Sequence, residues 1–140
     1  MLLDSLITIR KYKKEINNGG LWIKKKFKYG YKSNPLISII TVTYNSEKYL
    51  HESLQSIFKQ KYKNYELIII DGKSNDKTLK IIKKNEKKID YWQSEKDKGI
   101  YDAFNKGIKL ARGDLIGMVN SDDLLTPNAL RQLSYFFVII

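Results

Sequence analysis

The 140-residue chain contains no cysteine, so it carries neither a disulfide framework nor a thiolate metal site, which fits a reducing cytoplasm. Histidine is almost missing: His51 stands alone beside Glu52, reads as a surface residue, and has no second imidazole to build a zinc site with. No apolar run approaches the ~20 residues of a membrane span. Residues 2–9 are apolar, but the run is short, is interrupted by Asp4 and has no basic stretch before it, so it does not read as a secretory signal. Two phosphate-binding fingerprints are also missing, Gly-x-x-x-x-Gly-Lys-Ser/Thr and Gly-x-Gly-x-x-Gly.

What is present is a basic, otherwise ordinary globular composition: 42% hydrophobic residues and a formal net charge of +11. The charge is unevenly spread. Residues 1–34 hold nine Lys/Arg against only Asp4 and Glu15, a net of +7. This segment mixes Leu, Ile, Trp and Phe with lysines, and Asn17-Asn18-Gly19-Gly20 reads as a break within it. Two readings stay open for it: an amphipathic stretch suited to an anionic membrane surface, or a solvated basic arm packed on the domain edge.

After Pro35 the texture changes. Residues 36–44 (LISIITVTY) and 65–70 (YELIII) are short, apolar and β-branched, as buried strands are. Shorter strands are expected at 91–94 and 115–119. Between them lie helical spacings: Leu50, Leu54, Ile57 and Phe58 after a cap at Asn45-Ser46, then Leu79, Ile81 and Ile82 after Asn75 or Asp76. Tyr101, Phe104, Ile108 and Ala111 are expected on the inner face of a helix that Gly113 ends. Leu130, Leu133 and Phe137 are expected on that of a helix started by Thr126-Pro127. Strands alternating with helices imply an α/β fold with a mainly parallel sheet covered on both faces. Ligands bind such sheets beyond the carboxyl ends of the strands. Polar clusters fall at those ends: Thr43-Tyr44-Asn45, Asp71-Gly72, Ser94-Glu95 and Asn120-Ser121-Asp122-Asp123.

Taken singly, each cluster has two readings. Asn120-Ser121-Asp122-Asp123 is an acidic turn or a set of hard oxygen ligands for Mg²⁺ or Mn²⁺ held together with substrate phosphates. Asp71-Gly72 is an ordinary strand-to-helix turn or a hydrogen-bond acceptor beside a close backbone approach. Tyr44 is a boundary aromatic or a ring offered to a flat base. Residues 94–107 are a solvated charged loop, or a helix start whose free N–H groups and the nearby Lys98 meet a phosphate.

Together and in this order they resemble the N-terminal part of a family-2 glycosyltransferase with the Rossmann-like, type A nucleotide-sugar-binding fold. The resemblance covers residues 36–130. It rests on ISIITVTYNSEKYLHESLQSI (37–57), ELIIIDGKSNDKT (66–78) and, most specifically, SEKDKGIYDAFNKGIKLARGDLIGMVNSDD (94–123), which is similar to a subgroup that builds bacterial exopolysaccharide and lipopolysaccharide. The implied domains are a basic segment, 1–34, and an incomplete nucleotide-sugar-binding domain, 35–140. The implied function is metal-assisted, inverting transfer of a sugar from a nucleoside diphosphate, most simply UDP, to a saccharide or lipid-linked acceptor hydroxyl during cell-surface polysaccharide synthesis. The implied nucleotide site is Thr43, Tyr44, Asn45, Asp71, Asp97, Lys98, Gly99 and Asn120. Asp71 would meet a uracil-like base edge. Asn120-x-Asp122 takes the Asp-x-Asp position with an amide in place of its first carboxylate, which leaves Asp122 and Asp123 as the ligands for Mg²⁺ or Mn²⁺. The resemblance places the catalytic base beyond Ile140, and a cytoplasmic enzyme touching the inner face of the plasma membrane through residues 1–34 is expected. Two alternatives stand beside it. One is an inactive, truncated nucleotide-sugar-binding module. The other is a basic nucleic-acid-binding protein, which the clustering of charge in the N-terminal arm argues against.

Overall fold

Residues 37–43 and 65–71 are runs in which every side chain is buried. A strand wet on one face alternates, whereas a strand covered on both does not. The computed structural model describes residues 16–139. In it these runs are β2 (Ile37–Thr43) and β3 (Tyr65–Asp71), central in a five-stranded sheet that also contains β1 (Asn17–Gly19), β4 (Tyr91–Ser94) and β5 (Leu115–Asn120). The spatial order is β1-β4-β3-β2-β5. β2, β3, β4 and β5 are mutually parallel, and β1 runs antiparallel on β4. The chain moves outward from β2 to β4 and then returns to β2's other side with β5. That reversal leaves a crevice beyond the carboxyl ends of β2 and β5.

The alternating faces of the strands feed two cores. On one, Ile37, Ile39, Leu67 and Ile69 pack against Leu50, Leu54 and Ile57 of α1 (Leu50–Phe58), Ile82 of α2 (Thr78–Lys84) and Leu130 of α4 (Ala129–Ile139). On the other, Ile40, Val42, Ile68 and Ile70 meet Trp22 and the Ala103 and Leu110 side chains of α3 (Ile100–Leu110). Helices therefore cover both faces, as expected.

Three local expectations are corrected. The inner face of α3 is Ala103, Gly107 and Leu110, while Tyr101, expected inward, is 82% exposed and Ile108 is exposed too. α3 crosses β2 so closely that a methyl at position 107 would overlap Ile40, so small residues line the contact and large ones are turned out. On α4, Leu133 is exposed and Ser134 buried. Asn17–Gly19, read as a break, is an edge strand paired to Ser94, Gln93 and Trp92.

Residues 16–34 join the fold through that strand and through Trp22, which is 2% exposed and stacks on Tyr91 at 5.4 Å. The N-terminal reading for residues 1–15 lies outside the described residues. Among the described residues, no helix is long and apolar enough to cross a membrane.

At the amino ends of the strands sits a buried polar cluster. Glu66 Oε1 accepts the Ser38 hydroxyl (2.6 Å) and the Arg112 backbone N–H (2.8 Å), with the Arg112 guanidinium 3.9 Å from Oε2. Asp90 accepts the Leu67 N–H (2.8 Å) and Lys28 Nζ (3.2 Å). Burial pushes both carboxyls above their ordinary range, against the pull of their hydrogen bonds and cations. Arg112 also lies over the rings of Phe27, Tyr29 and Trp22, so it ties the basic segment to the sheet.

Candidate functional site

Strand register brings the polar clusters together. Thr43 pairs with Asp71, Asp71 with Ser94, and Val42 with Asn120, so four strand ends finish at one rim. A cleft of about 850 Å³ opens there. Its walls include Thr43, Tyr44 and Asn45 after β2, Gly72 and Lys73 after β3, Lys96, Asp97 and Gly99 before α3, and Asn120, Ser121 and Asp122 after β5. Of the residues expected at a nucleotide site, Thr43, Tyr44, Asn45, Asp97, Gly99, Asn120 and Asp122 meet in this cleft. Asp71, Lys98 and Asp123 are not among its walls.

Asp71 has no exposure at all, and its oxygens are taken by the protein. Oδ1 accepts the hydroxyls of Thr43 (2.9 Å) and Ser74 (2.5 Å), and Oδ2 accepts the Ser94 hydroxyl (2.6 Å) and the Ser74 N–H (3.1 Å). The carboxylate thus ties the ends of β2, β3 and β4 to one another. Gly72 is the residue from this turn that faces the cleft. A Cβ there would lie 2.8 Å from Asp97 Oδ2 and 3.4 Å from Tyr44 Cδ2.

The loops after β2 and β3 hold each other. Asn45, at φ 48°, donates its N–H to Ser74 Oγ and accepts the Asn75 N–H on Oδ1. The Ser46 N–H reaches Thr78 Oγ1 at 2.7 Å, and Glu47 and Asp76 exchange side-chain bonds with the backbone of the opposite loop. Burial pushes the Asp76 carboxyl up, but hydrogen bonds from Thr78 and Glu47 outweigh it and hold the carboxyl below its ordinary range. Tyr44 takes no side-chain part in this lacing and is 66% exposed.

In the loop before α3, Asp97 Oδ1 accepts the Gly99 N–H at 3.0 Å, fixing the turn that opens α3 at a Gly99 φ of 111°. The Lys98 N–H donates to Asp102, and that bond, reinforced by Lys106, holds the Asp102 carboxyl below its ordinary range. The start of α3 carries no side-chain cap, and Gly99 and Ile100 at this positive end line the cleft together with Lys96.

After β5 the two carboxylates part. Asp123 Oδ2 accepts the Asn120 N–H at 3.1 Å, whereas Asp122 is exposed in the cleft. The Asn120 side-chain oxygen is buried without a hydrogen-bond partner among the described residues. Asp122 offers an exposed carboxylate, a hard oxygen donor of the kind Mg²⁺ or Mn²⁺ takes when a diphosphate completes the shell, while the neighbouring Ser121 hydroxyl shares a hydrogen bond with Ser46 Oγ at 2.7 Å. Among the described residues no three His, Cys, Asp or Glu side chains gather into a metal cage. Sequence reasoning did not place Gly72, Lys73 or Lys96 among the nucleotide-site residues, although it read Gly72 as a close backbone approach. Only the position of Gly72 after a buried strand pointed toward it.

The family model for glycosyl transferase family 2 matches residues 38–137. Over 85 residues the chain is 51% identical to a dolichyl N-acetyl-α-D-glucosaminyl phosphate 3-β-D-2,3-diacetamido-2,3-dideoxy-β-D-glucuronosyltransferase of Methanococcus voltae, covering 56% of this chain and 26% of that protein. The structure resembles residues 1–349 of TarS from S. aureus in complex with UDP-GlcNAc, with TM-score 0.65 and 32% identity over 71% of this chain and 30% of that one. It shares its fold with the mannosyltransferase PcManGT of Pyrobaculum calidifontis, solved with GDP-Man and Mn²⁺, at TM-score 0.65 and 21% identity over 90% of this chain and 37% of that one. The chain spans 26% to 42% of the length of the curated relatives it matches.

Proposed function

Because the chain belongs to glycosyl transferase family 2, we propose that its cleft binds a nucleoside diphosphate sugar and offers the sugar for inverting transfer to an acceptor hydroxyl. The observation that carries this reading is the meeting of four strand-end loops in one cleft holding an exposed aromatic ring, an uncapped helix start, two lysines and an acidic turn. Tyr44 offers its face to the base, Thr43 and Asn45 shape the wall beneath, and Asn120 accepts a ribose hydroxyl. Lys73, Lys96 and the start of α3 attract the diphosphate. Asp122 would hold Mg²⁺ or Mn²⁺. Asp123 stands beside it as a second candidate, although its Oδ2 is engaged by the Asn120 N–H. A bound cation would stabilise the charge on the departing diphosphate. In the transfer, the acceptor oxygen bonds to the anomeric carbon as the bond to phosphate breaks, and the acceptor proton passes to a carboxylate. None of the described residues is assigned that last role.

The UDP-GlcNAc bound by TarS supports a UDP-sugar donor, and the dolichyl-linked sugar in the name of the Methanococcus relative supports a lipid-linked acceptor in glycan synthesis. In this reading residues 35–140 are the nucleotide-sugar-binding domain. Residues 1–34 attach a basic segment whose exposed Lys24, Lys25, Lys26 and Lys32, with Tyr29 and Tyr31, touch the anionic cytoplasmic face of the membrane. Calorimetric titration with UDP, with and without Mn²⁺, tests the site. Saturable binding strengthened by the cation and weakened in D122N is expected, and no binding under either condition would end the reading. Binding without donor hydrolysis or transfer would instead favour an inactive binding module.

A further inference from the structure

The carboxylate expected to read the base, Asp71, has four protein donors on its two oxygens and no exposure, so it has no acceptor left for a ligand. Another carboxylate occupies the place such a reader would need. Position 72, the first cleft-facing residue after β3, is a glycine, and the space where its side chain would begin is filled by Asp97 from the loop before α3. Asp97 Oδ2 lies 2.8 Å from that point, and the Tyr44 ring lies 3.4 Å from it. The two oxygens of Asp97 differ. Oδ1 holds the Gly99 N–H at 3.0 Å, which fixes the carboxylate, while Oδ2 has no donor among the described residues, and Asp97 lines the cleft.

We propose that Asp97, not Asp71, selects the nucleotide, its free oxygen accepting the ring N–H of a base that stacks on Tyr44. This rests on the nucleotide-binding reading above and sharpens it into a substrate class. An ionised carboxylate only accepts hydrogen bonds. Uracil and guanine carry a ring N–H donor on the edge they would present. Cytosine and adenine carry a bare ring nitrogen there, whose lone pair would face the carboxylate and leave it unpaired unless the base slides off its stack to bring its exocyclic amino group across. Discrimination arises because the wrong base strands a desolvated charge. Gly72 belongs to the same device, since any side chain there would displace Asp97. Asp71 is then a positioning residue that holds Thr43 and the Gly72 turn.

The test compares UDP and GDP with CDP and ADP on the 140-residue chain by calorimetry, in Mn²⁺, for the wild type, D97N and Y44A. The wild type should prefer the first pair by roughly 10- to 100-fold, the range set by one charge-assisted hydrogen bond. D97N keeps an oxygen for the Gly99 N–H but can turn an N–H₂ donor to the cleft. It should therefore lose the preference both by weakening UDP and by strengthening CDP. Y44A should weaken all four while keeping their ratio. Equal weakening of all four in D97N, with the ratio intact, would overturn the assignment and make Asp97 a loop-structuring residue. A wild type that binds all four equally would overturn it too. Binding of none would remove the nucleotide site itself, a different failure from loss of base preference.

Discussion

The two ends of this sheet are built on opposite terms. At the amino ends of the strands, Glu66 and Asp90 are sunk among apolar neighbours and matched by Arg112 and Lys28, with the Arg112 guanidinium sandwiched among aromatic rings. At the carboxyl ends, polar side chains are numerous, mostly half-exposed, and bonded to the backbone of neighbouring loops. One end uses buried charge to fix an N-terminal segment against the sheet. The other uses short polar side chains to shape loops and leaves Asp122 and one oxygen of Asp97 unclaimed. A buried, paired charge is costly to disturb and offers nothing to a ligand, while an exposed acceptor is cheap to change and available.

The sharpest break of that contrast is R112A. It leaves Glu66 buried without its cation and strips the aromatic rings of their shared partner, and urea denaturation should show a loss of about 3–5 kcal/mol. Nucleotide affinity of the molecules that remain folded should not change. D71A is the corresponding lesion at the rim. Stranding even one of its buried donors costs about 1–3 kcal/mol. Unlike R112A it should also weaken nucleotide binding, because Thr43 and the turn at Gly72 lose their tether. D122N should shift stability by no more than about 0.5 kcal/mol, as surface changes do, yet remove the cation-dependent part of binding.

The smallest effect is one of pH, and its sign differs between the ends. Glu66 has a folded pKa raised above its ordinary 4.5 by burial, so the fold binds a proton that the unfolded chain has released. Stability from this group is complete below that value and is lost as pH rises through the raised one. Asp76 is lowered from 3.8, so its contribution is present above that value and fades on acidification. Measured against wild type by urea midpoints across acidic to neutral pH, E66Q should gain relative stability as pH rises, and D76N should gain as it falls.

The sequence carried the sheet well. β2 and β3 were readable because unbroken β-branched runs have few other uses, and the convergence of Thr43, Asp71, Ser94 and Asn120 followed from the parallel order. β1 was not readable, since Asn-Asn-Gly has no alternating pattern and pairs only because β4 offers it an edge. The inner face of α3 misled for a physical reason. Hydrophobic spacing marks the widest apolar stripe, but a helix lying close over Ile40 needs its smallest residues at the contact. The occupancy of Asp71 was hidden as well, because its donors come from three separate strand ends that only the fold unites.

The mutual lacing of residues 45–47 and 74–78 has one more consequence. That wall of the cleft is already rigid before anything enters it, because the loss of backbone freedom was incurred when the chain folded. An arriving nucleotide meets a finished jaw on this side and need order only what lies across from it, so little of its intrinsic affinity is offset by freezing the receptor.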